Sequence, residues 1–166
     1  MSIINSIRRS FVKGGKATKW IGLALLLVGI WLHADLAVYF DFTQDDAFIT
    51  FRYAANYLDG HGLVYNIGER VEGYTNFLWL IIMILVKLAG GEFVIFSRTI
   101  GILCGIGTII FTYLIGIRIF GRRSLLPGLC SFLLGSVYSF AYWSVAGLET
   151  ASFALAVTAS LQGAGS

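Results

Sequence analysis

The chain has 166 residues, of which 57% are hydrophobic and 13% are charged. A soluble domain carries about 25% charged residues, so the composition argues against an ordinary soluble domain. The net charge of +3 does not indicate a nucleic-acid partner, because the basic residues form short blocks beside apolar runs, where they face anionic lipid and set orientation. The two cysteines also lie in apolar runs and form no CxxC metal pattern.

Charge is concentrated in two regions of the sequence. Five basic residues and no acid lie within residues 1–19, and six acids lie within residues 41–72. Such confinement to loops and to the ends of apolar runs is typical of membrane proteins. We therefore predict an all-α, polytopic membrane helix bundle in the bacterial inner (plasma) membrane, with residues 1–19 as a basic cytoplasmic tail.

The first predicted span covers residues 20–40, and the N-terminus is predicted to be cytoplasmic. A secretory signal peptide is the alternative, since it also has a basic head and an apolar middle. However, the apolar run continues past the point of cleavage, and Ala34 and Ala37 do not have A-x-A spacing. His33, near the outer end of this span, is expected to lie at the membrane interface.

Residues 41–92 form the predicted first outer loop, which begins with an amphipathic helix over residues 44–59. Thr43 is the expected N-cap, and Asp46 completes a capping-box pattern with it. Apolar residues recur at helical spacing along one predicted face, namely Phe48, Phe51, Ala55 and Leu58.

A second helix in this loop is predicted over residues 76–90. Its roughly 15 residues are short for a bilayer, which needs about 20, so we expect an interfacial or half-embedded helix with Trp79 near the headgroups. The next apolar run, 93–120, then returns to the cytoplasm. That path places the basic residues at 118–123 on the same side as the N-terminal basic block, as the positive-inside rule favours.

Further spans are predicted over residues 125–142 and 150–161, and residues 162–166 form a tail. The last run has only about 12 apolar residues, too few to cross a bilayer. We therefore expect residues 20–161 to be a truncated N-terminal transmembrane module of a longer type of protein.

Asp45 and Asp46 are the strongest candidates for chemistry. Adjacent helical residues point about 100° apart, so the two carboxylates cannot both face one reacting atom. One of them could cap the helix while the other faces a site as a general base. Alternatively, both only complement the partial positive charge of the helix N-terminus.

Other polar residues near the predicted outer surface are candidates for binding. Arg52 could hold a phosphate or pair with an acid, and Arg98 could hold a phosphate or snorkel to the headgroups. Glu149 is the acid of the second outer loop. Three residues of the loop after the first amphipathic helix could bind a sugar: Glu72, Tyr74 and Asn76. Alternatively, this segment is a solvated connector that caps the next helix. We predict no metal site.

The segment DDAFITFRYAANYLDGHGLVYNIGERVEGYTNFLW, followed by YWSVAGLET, resembles the C-type superfamily of membrane glycosyltransferases. Within it, the chain is most similar to bacterial arabinofuranosyltransferase-like proteins, and more distantly to protein mannosyltransferases and aminoarabinose transferases. The resemblance covers most of residues 20–158. It implies an extracytoplasmic active site whose essential acid maps to Asp45 or Asp46 and whose second acid maps to Glu149.

The resemblance also implies a reaction. The donor is a sugar on polyprenyl phosphate, and the acceptor is a cell-envelope glycan, a lipid or a protein. A carboxylate deprotonates the acceptor hydroxyl, which attacks the anomeric carbon, usually with inversion, as the lipid phosphate leaves; Arg98 would stabilise that phosphate. Some relatives use a divalent cation such as Mg or Mn, and the sequence does not decide whether this chain does.

Family members are longer and have more spans than this chain. Two alternatives to an active enzyme are therefore an inactive truncated paralogue and a non-catalytic membrane subunit of an envelope complex. A transporter fragment is disfavoured, because transporters place polar or broken helices at mid-membrane depth, whereas the polar residues here cluster in the outer loops.

Overall fold

The structure is a computed structural model that describes residues 14–164. Within that range the chain forms helices joined by turns, with no strand, which confirms the all-α prediction. Three of the predicted tail's basic residues, Arg8, Arg9 and Lys13, lie outside it. The helices are α1 (Lys16–Phe40), α2 (Asp45–Leu58), α3 (Phe77–Leu88), α4 (Phe93–Phe120), α5 (Leu126–Gly135), α6 (Tyr138–Val145) and α7 (Thr150–Ala164).

Two helices, α1 and α4, are long and apolar enough to cross a membrane, and α5 with α6 would add a third if the bent pair is one span. Only 28% of the most apolar window of α1 and of α4 is buried within the protein. Large apolar side chains point outward instead, including Trp20, Trp31 and Leu103, each more than 60% exposed. Soluble monomers rarely expose contiguous apolar surface of this extent, so it indicates association with a membrane.

The apolar run over residues 125–142, predicted as one span, is not a continuous helix, because it breaks between α5 and α6. The two helices meet at an angle of 58°. Val137 is extended at the break, with φ −73° and ψ 112°, and the Ser136 hydroxyl donates to the Leu133 carbonyl at 2.9 Å. A Gly-Ser pair is a common place for a helix kink, and here that pair is Gly135 and Ser136.

Glycines let the backbones of α1 and α5 touch. A Cβ atom on Gly29 would lie 2.9 Å from both the Cα of Phe132 and the carbonyl oxygen of the preceding residue, and one on Gly128 or Gly135 would overlap the backbone of Gly22 or Gly29 respectively. The contacts advance in the same direction along both helices, so α1 and α5 run parallel.

Helix α4 runs antiparallel to these two helices. Gly101 near its start lies against the Ser144 carbonyl, whereas Gly116 near its end lies 2.9 Å (measured from an added Cβ) from the Cα of Pro127. The start of α4 is also joined to the end of α1 by an ion pair between Arg98 and Asp41.

This arrangement separates the charges of the bundle. We call one end the basic end, which holds Lys16, Lys19, Arg118, Arg122 and Arg123, and the other the loop end, which holds the segments 41–76 and 146–149. The grouping of the basic residues at one end agrees with the predicted path in which residues 76–90 do not span.

His33, expected at the membrane interface, is fully buried between helices. Its ring lies 5.0 Å from that of Phe140, centroid to centroid, and a Cβ on Gly105 would meet it. The reason is its position on α1, since His33 continues the buried stripe that includes Gly22 and Gly29. Both ring nitrogens lack a hydrogen-bond partner within the described range.

Helices α2 and α3 form a small apolar core at the loop end. The predicted bounds of both helices are correct to within two residues. The predicted apolar face of α2 is correct at Phe51 and Leu58, which lie in or against this core, but wrong at Phe48. Phe48 is 51% exposed, because the buried face is rotated toward residues 47, 50, 51 and 54. Trp79, predicted to lie near the headgroups, is only 2% exposed and packs within this core.

We expect Gly29→Ala to destabilise the bundle by about 1–3 kcal/mol, because the new methyl group would press against backbone atoms that cannot rotate away. Thermal unfolding in detergent measures the effect. Gly107→Ala is the matched control, since its Cβ would meet only the flexible end of Leu155 and alanine is the better helix former. Equal melting temperatures for the two variants would contradict the tight contact.

Candidate functional site

The first turn of α2 is tied to the loop over residues 146–149, the predicted second outer loop. The Gln44 backbone N–H donates to the Ala146 carbonyl at 2.9 Å, and Gln44 rather than Thr43 is the N-cap residue. The predicted Thr43 capping box is therefore wrong. Thr43 instead turns toward Gly147, where its methyl group lies 3.0 Å from the position of an added Cβ, and its hydroxyl is buried without a partner in the described range.

Asp45 and Asp46 occupy the first turn of α2 directly after this contact. Both are exposed, and neither carboxylate makes a hydrogen bond or ion pair to the described residues. The expectation that one of them caps the helix through its side chain is therefore not met. Both carboxylates are open to solvent at the helix N-terminus, where negative charge is favourable.

A hydrogen-bonded chain of side chains links three separate segments. The Thr50 hydroxyl of α2 donates to the Asn76 side-chain oxygen at 3.2 Å. The Asn76 amide donates in turn to the Glu149 carboxylate at 2.8 Å. Asn76 stands at the N-cap position of α3 but its side chain makes no cap hydrogen bond, because both ends of the amide are used in this chain.

Trp79 anchors the loop over residues 146–149 by a hydrogen bond. The indole N–H donates to the Gly147 carbonyl at 2.9 Å. Gly147 has a φ of +82°, a left-handed conformation that glycine adopts without strain. These contacts fix the turn that leads to Glu149, so the half-buried carboxylate has a defined position.

A groove of about 350 Å³ lies beside this carboxylate, between α3 and α7. Its walls combine polar groups with aromatic and aliphatic side chains, which is the usual make-up of a ligand site. The lining residues are Thr75, Asn76, Phe77, Leu78, Trp79, Ile82, Glu149, Ser152 and Phe153.

The two candidate arginines have different surroundings. Arg98 lies 2.7 Å from the Asp41 carboxylate, and its side chain is 21% exposed. Arg52 donates to the Asn66 side chain at 3.1 Å and lies 4.3 Å from the centre of the Tyr65 ring. Arg52 therefore packs on the loop after α2, and it pairs with no acid in the described range.

The loop after α2 is ordered around Tyr53. Its buried hydroxyl donates to the Val71 carbonyl at 2.8 Å and accepts from the Gly73 N–H at 2.9 Å. The Tyr74 ring packs 5.0 Å from the Tyr53 ring. Glu72 is exposed and its carboxylate makes no hydrogen bond or ion pair to the described residues. Of the three predicted binding residues of this loop, only Asn76 lines the groove described above.

Sequence reasoning missed Asp41, Thr50 and Trp79. Asp41 is separated from Arg98 by 57 positions, and no local pattern announces such a pair. Within residues 14–164 no group of three or more His, Cys, Asp or Glu side chains could hold a metal ion. Comparisons with protein-family models, curated proteins and solved structures gave no match to this chain.

We expect Trp79→Phe to loosen the second outer loop, because the Gly147 carbonyl would lose its partner at a cost of about 1 kcal/mol. Hydrogen–deuterium exchange over residues 146–149 should become faster. Trp143→Phe is the control, since Trp143 is 41% exposed and makes no indole hydrogen bond to the described residues. Unchanged exchange in Trp79→Phe would rule out this anchoring role.

Proposed function

We propose that this chain is a membrane glycosyltransferase module that transfers a sugar from a polyprenyl-phosphate donor to an extracytoplasmic acceptor in the cell envelope. The observation that carries the proposal is the meeting of the two outer loops. They place Asp45, Asp46 and Glu149 at one end of the bundle, the end at which Arg98 also lies.

The proposed membrane placement follows from the separation of charge. The basic end lies in the cytoplasm of a bacterial cell and the loop end on the outer side, in accordance with the positive-inside rule. The exposed apolar surface between the two ends supports burial in lipid. Helix α3, with 12 residues, is about 18 Å long and lies at the outer interface instead of crossing.

The proposed chemistry uses one carboxylate of the Asp45–Asp46 pair as the general base. The carboxylate takes the proton of the acceptor hydroxyl, and the hydroxyl oxygen forms a bond to the anomeric carbon of the donor. The bond between that carbon and the phosphate oxygen breaks, and the phosphate leaves with the electron pair. Exposure of both aspartates gives an acceptor free access from the outer side.

Arg98 is better placed than Arg52 to stabilise the leaving phosphate. Asp41 uses one side of the guanidinium, whose five N–H donors leave others for phosphate oxygens. Arg98 also lies at the end of an apolar helix, where the phosphate of a lipid-linked donor would be. Arg52 is held by Tyr65 and Asn66 of the loop after α2. About two helical turns separate it from Asp45.

The groove beside Glu149 is the proposed sugar subsite. Glu149 and Asn76 would bind sugar hydroxyls, and the rings of Phe77 and Phe153 would cover an apolar face of the sugar. In the described part of the chain no group of three or more His, Cys, Asp or Glu side chains could hold a metal ion, and the proposed steps are those of the protein's own side chains.

One observation favours a second candidate, a non-catalytic subunit of an envelope complex or an inactive paralogue. Helix α7 buries only Ala151, whereas Phe153 and Leu161 are 70% and 62% exposed. A face of this kind could pack against helices of another subunit. Activity separates the two candidates.

The first test is a transfer assay in membranes with a radiolabelled polyprenyl-phosphate sugar. We expect either Asp45→Asn or Asp46→Asn to lower transfer by about 10²–10⁴-fold, the usual contribution of a general base. Asp59→Asn is the control, because it removes an exposed acid from the opposite end of α2. Inserted wild-type protein that transfers no sugar would favour the non-catalytic candidate.

The proposed orientation has its own test in intact cells. In a Cys104→Ser/Cys130→Ser background, a membrane-impermeant thiol reagent should label His61→Cys at once. Gly15→Cys, which is exposed at the basic end, should react only after the membrane is permeabilised. Labelling of Gly15→Cys in sealed cells would reverse the proposed orientation.

A further inference from the structure

A second groove opens at the basic end of the bundle, whereas the candidate sugar site lies at the loop end. Its volume is about 460 Å³, within the range of small-molecule sites. Helices α1, α4 and α7 all contribute to it. The lining residues are Lys19, Leu23, Tyr113, Leu114, Ile117, Arg118, Arg122 and Gln162.

The cations of this groove have no acidic side chain to neutralise them. All nine acids of the chain lie between positions 35 and 149, and none lies between positions 92 and 149. The nearest acid along α1 is Asp35, about 24 Å from Lys19 at the rise of an α-helix. Glu92 and Glu149 belong to the loop end, across the bundle.

Arg118 is held in place within the groove. Its guanidinium donates to the Gln162 backbone carbonyl on α7. With the Gln162 amide in its hydrogen-bonded orientation, the side-chain oxygen also accepts from Nε and Nη2 of Arg118 at 3.1 and 3.2 Å. Together these contacts use three of the five N–H donors and leave two for an anion. A fixed arginine with spare donors recognises phosphate well, because little side-chain freedom is lost on binding.

The groove is amphipathic in the direction a lipid requires. The charged groups of Lys19, Arg118 and Arg122 lie toward the end of the bundle, and Leu23 and Leu114 lie one turn deeper on their helices. A lipid whose phosphate lies at the rim of the groove could therefore place an acyl chain along the deeper, apolar part. Basic grooves between membrane helices on the cytoplasmic side bind anionic lipid headgroups.

We propose that this groove is a binding site for an anionic glycerophospholipid of the inner leaflet, with its phosphate held by Lys19, Arg118 and Arg122. The bound lipid would fasten α7, which packs mainly on α4, to α1. The inference rests on the membrane placement proposed above and not on sugar transfer, so a failed transfer assay leaves it intact.

The test is native mass spectrometry of the purified full chain with phosphatidylglycerol or phosphatidylcholine. We expect phosphatidylglycerol to be retained at least about tenfold more strongly than the zwitterionic lipid, and Lys19→Gln/Arg122→Gln to remove that preference, since each basic group near the headgroups contributes appreciably. Thermal unfolding of the wild type should shift upward with phosphatidylglycerol alone.

The matched control is Lys16→Gln/Arg123→Gln, which removes the same charges from the same end of the bundle. Both residues are exposed and lie outside the groove lining, so lipid retention should stay near the wild-type value. Equal loss in the two double variants would overturn the site in favour of diffuse attraction. Equal retention of both lipids by the wild type, or displacement of phosphatidylglycerol by inorganic phosphate, would overturn it as well.

Discussion

The backbone contact between α1 and α5 is the constraint on which the rest of the structure depends. In lipid, helices gain little from the hydrophobic effect and associate through close packing of small residues. Gly22 and Gly29 on α1 are separated by seven residues, as are Gly128 and Gly135 on α5. Seven residues are nearly two helical turns, so each helix offers one continuous contact face. Gly128 meets Gly22 and Gly135 meets Gly29, so the pair runs parallel.

The parallel pair determines where α4 and the loops lie. Two parallel helices adjacent in this bundle need an antiparallel return, and α4 supplies it. The return brings Asp41 to Arg98 at one end and Lys19 to Arg118 at the other. The bend after Gly135 then tilts α6, so that the turn at Gly147 reaches over α2 and α3. Opposite charges are thus collected at opposite ends by packing that involves almost no charged groups.

Local features of the fold could be read from the sequence, whereas contacts between distant segments could not. The bounds of α2, α3 and α4 are set by nearby glycines, polar residues and helical periodicity, and the predicted bounds are within two residues of those observed. The predicted Thr43 cap does not form, because the next residue, Gln44, donates its backbone N–H to the Ala146 carbonyl about one hundred positions away. The break between α5 and α6 lies at a Gly-Ser pair, which a hydropathy pattern does not reveal.

The candidate site shows the same division. The positions of Asp45 and Asp46 at a helix start were predictable, because acids favour that place. The link from Asn76 to Glu149 was not, since 73 positions separate them and their meeting depends on how α3 packs beneath the second outer loop. The buried surroundings of His33 were predictable in principle, because it shares a helical stripe with Gly22 and Gly29.

The Tyr53 hydroxyl affects how the loop after α2 can open. One oxygen atom serves as donor to Val71 and acceptor from Gly73, and Asn56 on the same helix holds the carbonyls of Val64 and Tyr65. The loop therefore depends on side chains of α2 for these four hydrogen bonds. Local opening in proteins occurs in cooperative units, and we expect this loop and α2 to open as one such unit. A ligand that requires the loop to open would select a rare, collectively released state instead of a frayed tip.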